Sequence, residues 1–242
     1  MGIANSYGRV LRRELKQHPA WLPVTNTFAL GDFGVVSNGL FTRMGNISAL
    51  GVEWSEKTGA PSKLDYHSTS VVTARFEGGA TVDVFSDSTT VDAKLVFSFS
   101  HNRTFVLRAA KISSLEIDDI LAVAAKLHQH ASWRRRFRFV TRLYSAQNPL
   151  FLASREADTT VTISGKAAVL KKVDLGDFDA SINFAVNRQL AIEVAGESGV
   201  IALGLARVKV TGMAAEAGTA ASNPQIGVEE DADWDEDPVD DV

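Results

Sequence analysis

Between Val91 and Ser100 the chain alternates cleanly. Val91, Ala93, Leu95, Phe97 and Phe99 fall on one side, and Asp92, Lys94, Ser98 and Ser100 on the other. A period of two marks a strand with one face on a core and the other in water. Similar extended runs recur at Val71–Val84, broken at Gly78-Gly79, and at Thr104–Ala109, Phe137–Tyr144 and Thr159–Ile163. Ala180–Val186, Leu190–Val194 and an apolar run from Val200 to Val210 complete the set. Asn38-Gly39, set between Phe33–Val36 and Leu40–Arg43, is a strong hairpin signal. Residues 55–65 read as a polar loop.

Two stretches depart from this pattern. Asn5 can cap a first helix with Tyr7, Val10, Leu11 and Leu15 on one face and Arg12, Arg13 and Lys16 alongside, stopped by Pro19 and Pro23. From Leu115 to His130 the period becomes helical, bringing Ile117, Ile120, Leu121, Ala124 and Leu127 together. Many strands and two clear helices imply an α+β fold, a mainly antiparallel twisted sheet. The body spans residues 1–210. Residues 211–224, rich in Ala, Gly, Ser and Thr, read as a flexible connector to an acidic tail at 225–242.

Charge is sharply divided. The last fourteen residues hold nine acids and no base, so the 25 Lys and Arg face only 20 acids upstream, and a formal −4 conceals a basic body with an acidic tail. Cysteine is absent, which excludes disulfides, thiolate metal sites and cysteine nucleophiles. No apolar run suits a secretory signal or a transmembrane helix, so the chain reads as made soluble and cytoplasmic. Strands that insert later escape such a test. Gly2 with Ser6 matches an N-terminal acylation pattern.

No catalytic motif is found, and the chain does not read as an enzyme or as a holder of a metal or cofactor. His128 and His130 are two apart, whereas helical metal pairs need three or four; the bland reading is a histidine stabilised by a helix C-terminus. The densest basic patch is Arg134, Arg135, Arg136 and Arg138, interleaved with Trp133, Phe137 and Phe139. On a strand, Arg136, Arg138 and Arg142 would form one stripe. A solvated strand face is the plain alternative; anionic lipid ranks next, and nucleic acid last, for want of an aromatic stacking platform. In the tail, Ile226, Val228 and Trp234 fit a docking segment better than a purely solvating one.

Phe139-Val-Thr-Arg-Leu resembles the aromatic-Val-Val-Thr-Glu strand of gasdermin pore-forming domains, and Val200–Val210 is similar to their closing strand. Phe97-Ser-Phe-Ser, the 115–130 helix and the short tail are similar to the bacterial members. Arg142 stands where the family usually carries an acid, and no cysteine lies near the N-terminus. The resemblance implies a dormant protein whose C-terminal segment (Ile226, Val228, Trp234) is autoinhibitory. A protease cutting between Thr211 and Pro224 would release it. Protomers would then reach the inner face of the cell membrane, bind anionic lipid through Arg12, Arg13, Arg134, Arg135, Arg136 and Arg138, with any acylation at Gly2 assisting, and self-associate. The hairpin Val71–Ser100 would span the bilayer within a large β-barrel, as a bacterial defence or cell-death effector. The competing expectation is a soluble α+β interaction module whose acidic tail docks a basic partner.

Overall fold

A computed structural model describes residues 3–68, 70–77, 80–81, 92–174, 183–188, 190–195, 198–211 and 225–230. The fold is α+β and mostly antiparallel sheet. Helix α1 (Ile3–Leu15) leads into β1 (His18–Pro19), then β2 (Asp32–Ser37), β3 (Leu40–Asn46) and a 3-10 turn at Ile47–Leu50. There follow β4 (Glu56–Thr58), β5 (Ser62–His67), β6 (Val71–Glu77), β7 (Ala80–Thr81), β8 (Asp92–Phe99) and β9 (Phe105–Ile117). Helix α2 (Ile120–Gln129) precedes β10 (Arg138–Gln147), β11 (Leu150–Ser154) and β12 (Thr159–Lys166). Helix α3 (Ala167–Asp174), β13 (Asn183–Val186), β14 (Leu190–Ala195), β15 (Gly199–Thr211) and β16 (Gln225–Glu230) complete the order.

The larger sheet is built from long strands laid side by side. β9 pairs with β10 through Glu116↔Arg142 to Lys111↔Gln147, and then with β11 through Arg108↔Leu150 to Phe105↔Ala153. β10 and β11 therefore act as one strand interrupted at Asn148-Pro149. β15 and β14 line the far side of that strand in the same way. β4 and β5 flank the outer edge of β9, the β2–β3 hairpin continues the edge of β10, and β1 and β16 share the free edge of β15. The smaller sheet runs β13-β12-β8-β6-β7.

Three apolar clusters hold the layers. One face of the large sheet packs on α1 through Tyr7, Leu11, Phe105, Phe151 and Ile201. Tyr7 sits edge-on to Phe105 and Phe151 and donates to the Ile201 carbonyl at 2.8 Å. That bond satisfies a hydroxyl whose burial pushes its pKa up. A second cluster joins Val106, Leu150 and Leu152 of the large sheet to Leu95, Phe97, Val161 and Ile163 of the small one, with Leu170 of α3. The third gathers Phe139, Val140, Leu203 and Leu205 with Val123 and Leu127 of α2.

Several local expectations change. α1 begins at Ile3, so Asn5 lies inside it rather than capping it. α2 begins at Ile120, capped by Asp119 Oδ1, which accepts from Ala122 N at 2.9 Å; Leu115 and Ile117 end β9 instead. Residues 55–65 hold two strands, polar because they lie exposed on a sheet edge. They break around Gly59, where a Cβ would lie 2.2 Å from Ser114 Oγ. Within 71–84 the two expected strands are present, β6 and β7, paired antiparallel, with 78–79 and 82–84 outside the described residues; the described stretches of β6 and β8 have 7 and 8 residues. Each described stretch is shorter than the roughly 9–11 residues that cross a bilayer. The Asn38-Gly39 hairpin is as expected, with φ of 51° and 72°, the two left-handed residues of a type I′ turn.

Candidate functional site

The C-terminal segment contributes a strand to the body. β16 runs antiparallel to β15, from Ala206↔Glu230 to Thr211↔Gln225, and occupies an edge that β1 leaves open beyond Leu203. Ile226 and Val228 pack against the cluster built on α2, β10 and β15. Their neighbour Glu229 points the other way, to Arg207 and Lys209 of β15. It accepts from Arg207 Nε at 2.7 Å and from Arg207 Nη2, with Lys209 Nζ at 3.4 Å. The hydrogen bond from Arg207, aided by the charges of both bases, holds the Glu229 carboxyl below the usual range. Apolar side chains on one face and an ion bridge on the other are what fix the register of a short strand. Trp234 lies outside the described residues, as do Gly2 and 212–224.

The basic residues separate into two groups. Arg134, Arg135 and Arg136 sit exposed on the turn from α2 into β10. The Arg134 guanidinium donates to the carbonyls of Ala131 and Trp133 at 2.8 and 3.2 Å, closing the turn on itself. Beneath lies a cluster of rings: Phe33 is 5.7 Å from Trp133 and 5.4 Å from Phe137, and Trp133 stands edge-on to Phe137 and Phe139. Arg136 lies over Phe137 at 6.0 Å. A rigid aromatic base thus presents three cations to solvent.

The second group converges from α1 and β10. Arg12 donates to the Gly39 carbonyl at 3.1 Å, bracing α1 against the β2–β3 turn. A side chain at Gly39 would lie 2.6 Å from its guanidinium, so the glycine serves both the turn and the contact. Arg12 and Arg138 both act on His18, which is 2% exposed on β1. Burial first, and then these two charges, push its pKa down to about 3, so the imidazole is neutral. Nothing is described of the Arg13 side chain.

The expected stripe of Arg136, Arg138 and Arg142 is not formed. The β10–β15 register shifts between Val140 and Arg142, and Arg142 turns to Glu116 of β9, with its Nε 2.5 Å from the carboxylate. It also donates to Tyr144 Oη at 3.4 Å. Arg142 is thereby a cross-strand ion pair, and Glu116 carries the acid that faces it.

Other polar residues have structural roles. Asp32 is buried and accepts from Ala29 N at 2.9 Å, Asn46 Nδ2 at 3.0 Å and Arg43 Nε at 2.9 Å, tying the β2–β3 hairpin to the chain before it. His130 ends α2, and its Nδ1 accepts from Ser132 N at 3.2 Å. Among the described residues no group of three His, Asp or Glu side chains is placed to hold a metal ion. No described helix is long and apolar enough to cross a membrane, which says nothing of strands. No protein-family model matches the chain, and no curated protein matches it.

Proposed function

We propose that this protein is a protease-activated pore former, held dormant by its C-terminal strand, as its resemblance to the gasdermin pore-forming domains implies. The observation that carries this reading is the seating of β16. Cutting between Thr211 and Gln225 would detach a strand held by edge pairing, two half-buried apolar side chains and one ion bridge. Its loss would bare the β15 edge, part of an apolar cluster and two basic residues, while removing every acid of the tail. A basic body is drawn to anionic lipid by about 1 kcal/mol for each Lys or Arg near the surface. The exposed Arg134–Arg136 turn and the Arg12–Arg138 pair supply such contacts. β8 and β12, each apolar on one side and largely polar on the other, have the patterning of barrel strands, though they must lengthen to span.

Dye release from anionic vesicles tests this reading. The full chain carries a site-specific protease sequence within 212–224, is folded intact, and is then cut in the presence of the vesicles. Leakage only after cutting is the expected result. Absence of leakage from cut protein that circular dichroism shows to be folded rejects it, and favours a soluble module whose acidic tail docks a basic partner.

A further inference from the structure

Across the β6–β8 seam, the two faces of the smaller sheet do not match. Residues directly opposite one another share a face. Along β8 the buried side carries Ala93, Leu95, Phe97 and Phe99. β12 continues that side with Val161 and Ile163, opposite Phe97 and Leu95. β6 breaks it. Opposite Phe97 and Leu95 it sets Thr73 and Arg75, while Val72, Ala74 and Phe76 stand opposite Ser98, Val96 and Lys94 on the outer side. Val72 is 60% exposed there. Beyond Val71, the apolar side of β6 and the apolar side of β8 point in opposite directions.

The folded protein tolerates this because, among the described residues, β6 lies toward the rim of the sheet, followed by β7 (Ala80–Thr81). A bilayer does not. In a closed barrel one face of every strand meets hydrocarbon and the other the lumen, and an arginine on the lipid face carries a penalty that grows with depth. A one-residue slip moves every side chain of a strand to the other face. Such a slip brings Val72, Ala74 and Phe76 to the side of Leu95, Phe97, Val161 and Ile163. It sends Thr73 and Arg75 to the side of Ser98, Thr160 and Thr162.

We infer that β6 shifts by one residue against β8 on entering a membrane. The bilayer-contacting surface is then the presently buried side of β8 and β12 together with the presently outer side of β6. This rests on the pore-forming reading and adds to it the residues that meet lipid. The register of the folded protein is its soluble register, and the β6–β8 ladder must be unmade before insertion.

The chain has no cysteine, so introduced thiols report single places. In the full chain with the cleavable 212–224 segment, single cysteines at positions 72, 73, 74, 75, 95 and 97 carry a polarity-sensitive dye. Cutting takes place on phosphatidylglycerol vesicles containing doxyl-labelled lipid. Quenching by doxyl lipid at 72, 74, 95 and 97, and by aqueous iodide at 73 and 75, is the expected pattern. Lipid quenching at 73 and 75 together with 95 and 97 overturns the slip and leaves the pore standing. Separately, Val72→Cys with Ser98→Cys, partners in the present register, ties that register when oxidised. Leakage falls at least about tenfold and returns on reduction, the direction set by holding Arg75 on the lipid side. Equal leakage before and after reduction overturns the slip. Ala74→Cys with Val96→Cys is a second lock should the first impair folding. Failure of the cut, cysteine-free parent to leak rejects the pore-forming reading, and the slip with it.

Discussion

Replacing Ile226 and Val228 together by alanine isolates the hold of β16 on the body. The two substitutions remove about five carbon atoms, each worth about 0.8 kcal/mol when fully buried. Both side chains are half-buried against the α2 cluster, so roughly half of that is lost, about 2 kcal/mol. The rest of the fold barely senses the change, because among the described residues β16 contacts the body mainly along the β15 edge and α2. The loss therefore appears as local opening, with amide exchange at 225–230 about 30-fold faster. The main thermal transition moves by only a few degrees. Hydrogen exchange read by mass spectrometry on the 225–230 and 206–211 peptides measures this directly. Unchanged exchange at 225–230 would refute the view that these side chains hold the strand. Exchange raised equally throughout the chain would refute its independence from the core. On anionic vesicles the uncut double variant leaks slowly where the uncut parent does not.

Three further outcomes are expected. His18 binds a proton in the unfolded chain from its ordinary range downward, but in the fold only near pH 3, so folding stability falls as pH drops through that window. The slope contributed is about 1.4 kcal/mol per pH unit, and His18→Asn removes it from urea titrations taken between pH 6 and pH 4. Arg108 is buried beneath Phe97 and bridges to Asp65 at 2.8 Å, whereas Asp65 is exposed. Asp65→Asn therefore destabilises by about 1–2 kcal/mol in chemical denaturation, and Arg108→Met less than that, since an apolar replacement spares the desolvation of a charge. Finally, converting Arg134, Arg135 and Arg136 together to glutamine weakens binding of the cut protein to anionic vesicles by about 3 kcal/mol in sedimentation assays, and unfolds nothing, because these side chains are exposed.

What the sequence revealed of this fold followed from how many faces each strand buries. β8 has one face on the core, and its alternation was plain; the Asn38-Gly39 turn announced the β2–β3 hairpin through the backbone geometry it requires. β11 buries both faces, between the α1 layer and the smaller sheet, so Leu150–Ser154 shows no alternation to detect. β4 is exposed throughout and β5 half-buries Leu64 and Tyr66 alone among the described residues, so both read as loop. α3 is short, and it follows β12 directly, with no connecting loop between Lys166 and Ala167. At the candidate site, Ile226, Val228 and Trp234 stand out as apolar residues in an acidic tail, but β16 leaves little strand signal, being six residues that contain a glycine and end in two acids. Glu229 was assigned to the tail's charge, yet it is the contact to Arg207. Pairing partners distant in sequence, such as Glu116 for Arg142, leave no local trace, so the arginine stripe was drawn one residue too far.

The interruptions of the long strands have a mechanical consequence. Asn148-Pro149 separates β10, whose Ala146 opposes Gly199, from β11, whose Leu150 opposes Ala195. That interruption marks a line across the sheet. β9 runs through it unbroken for 13 residues and is the spine that joins the two halves. The α2 cluster lies on one side of this fold line and the two-sheet cluster on the other. Load applied to one half reaches the other through β9, through β5 paired along it, and through the α1-side cluster, which holds Ala146 and Ile201 of one half with Phe105 and Phe151 of the other.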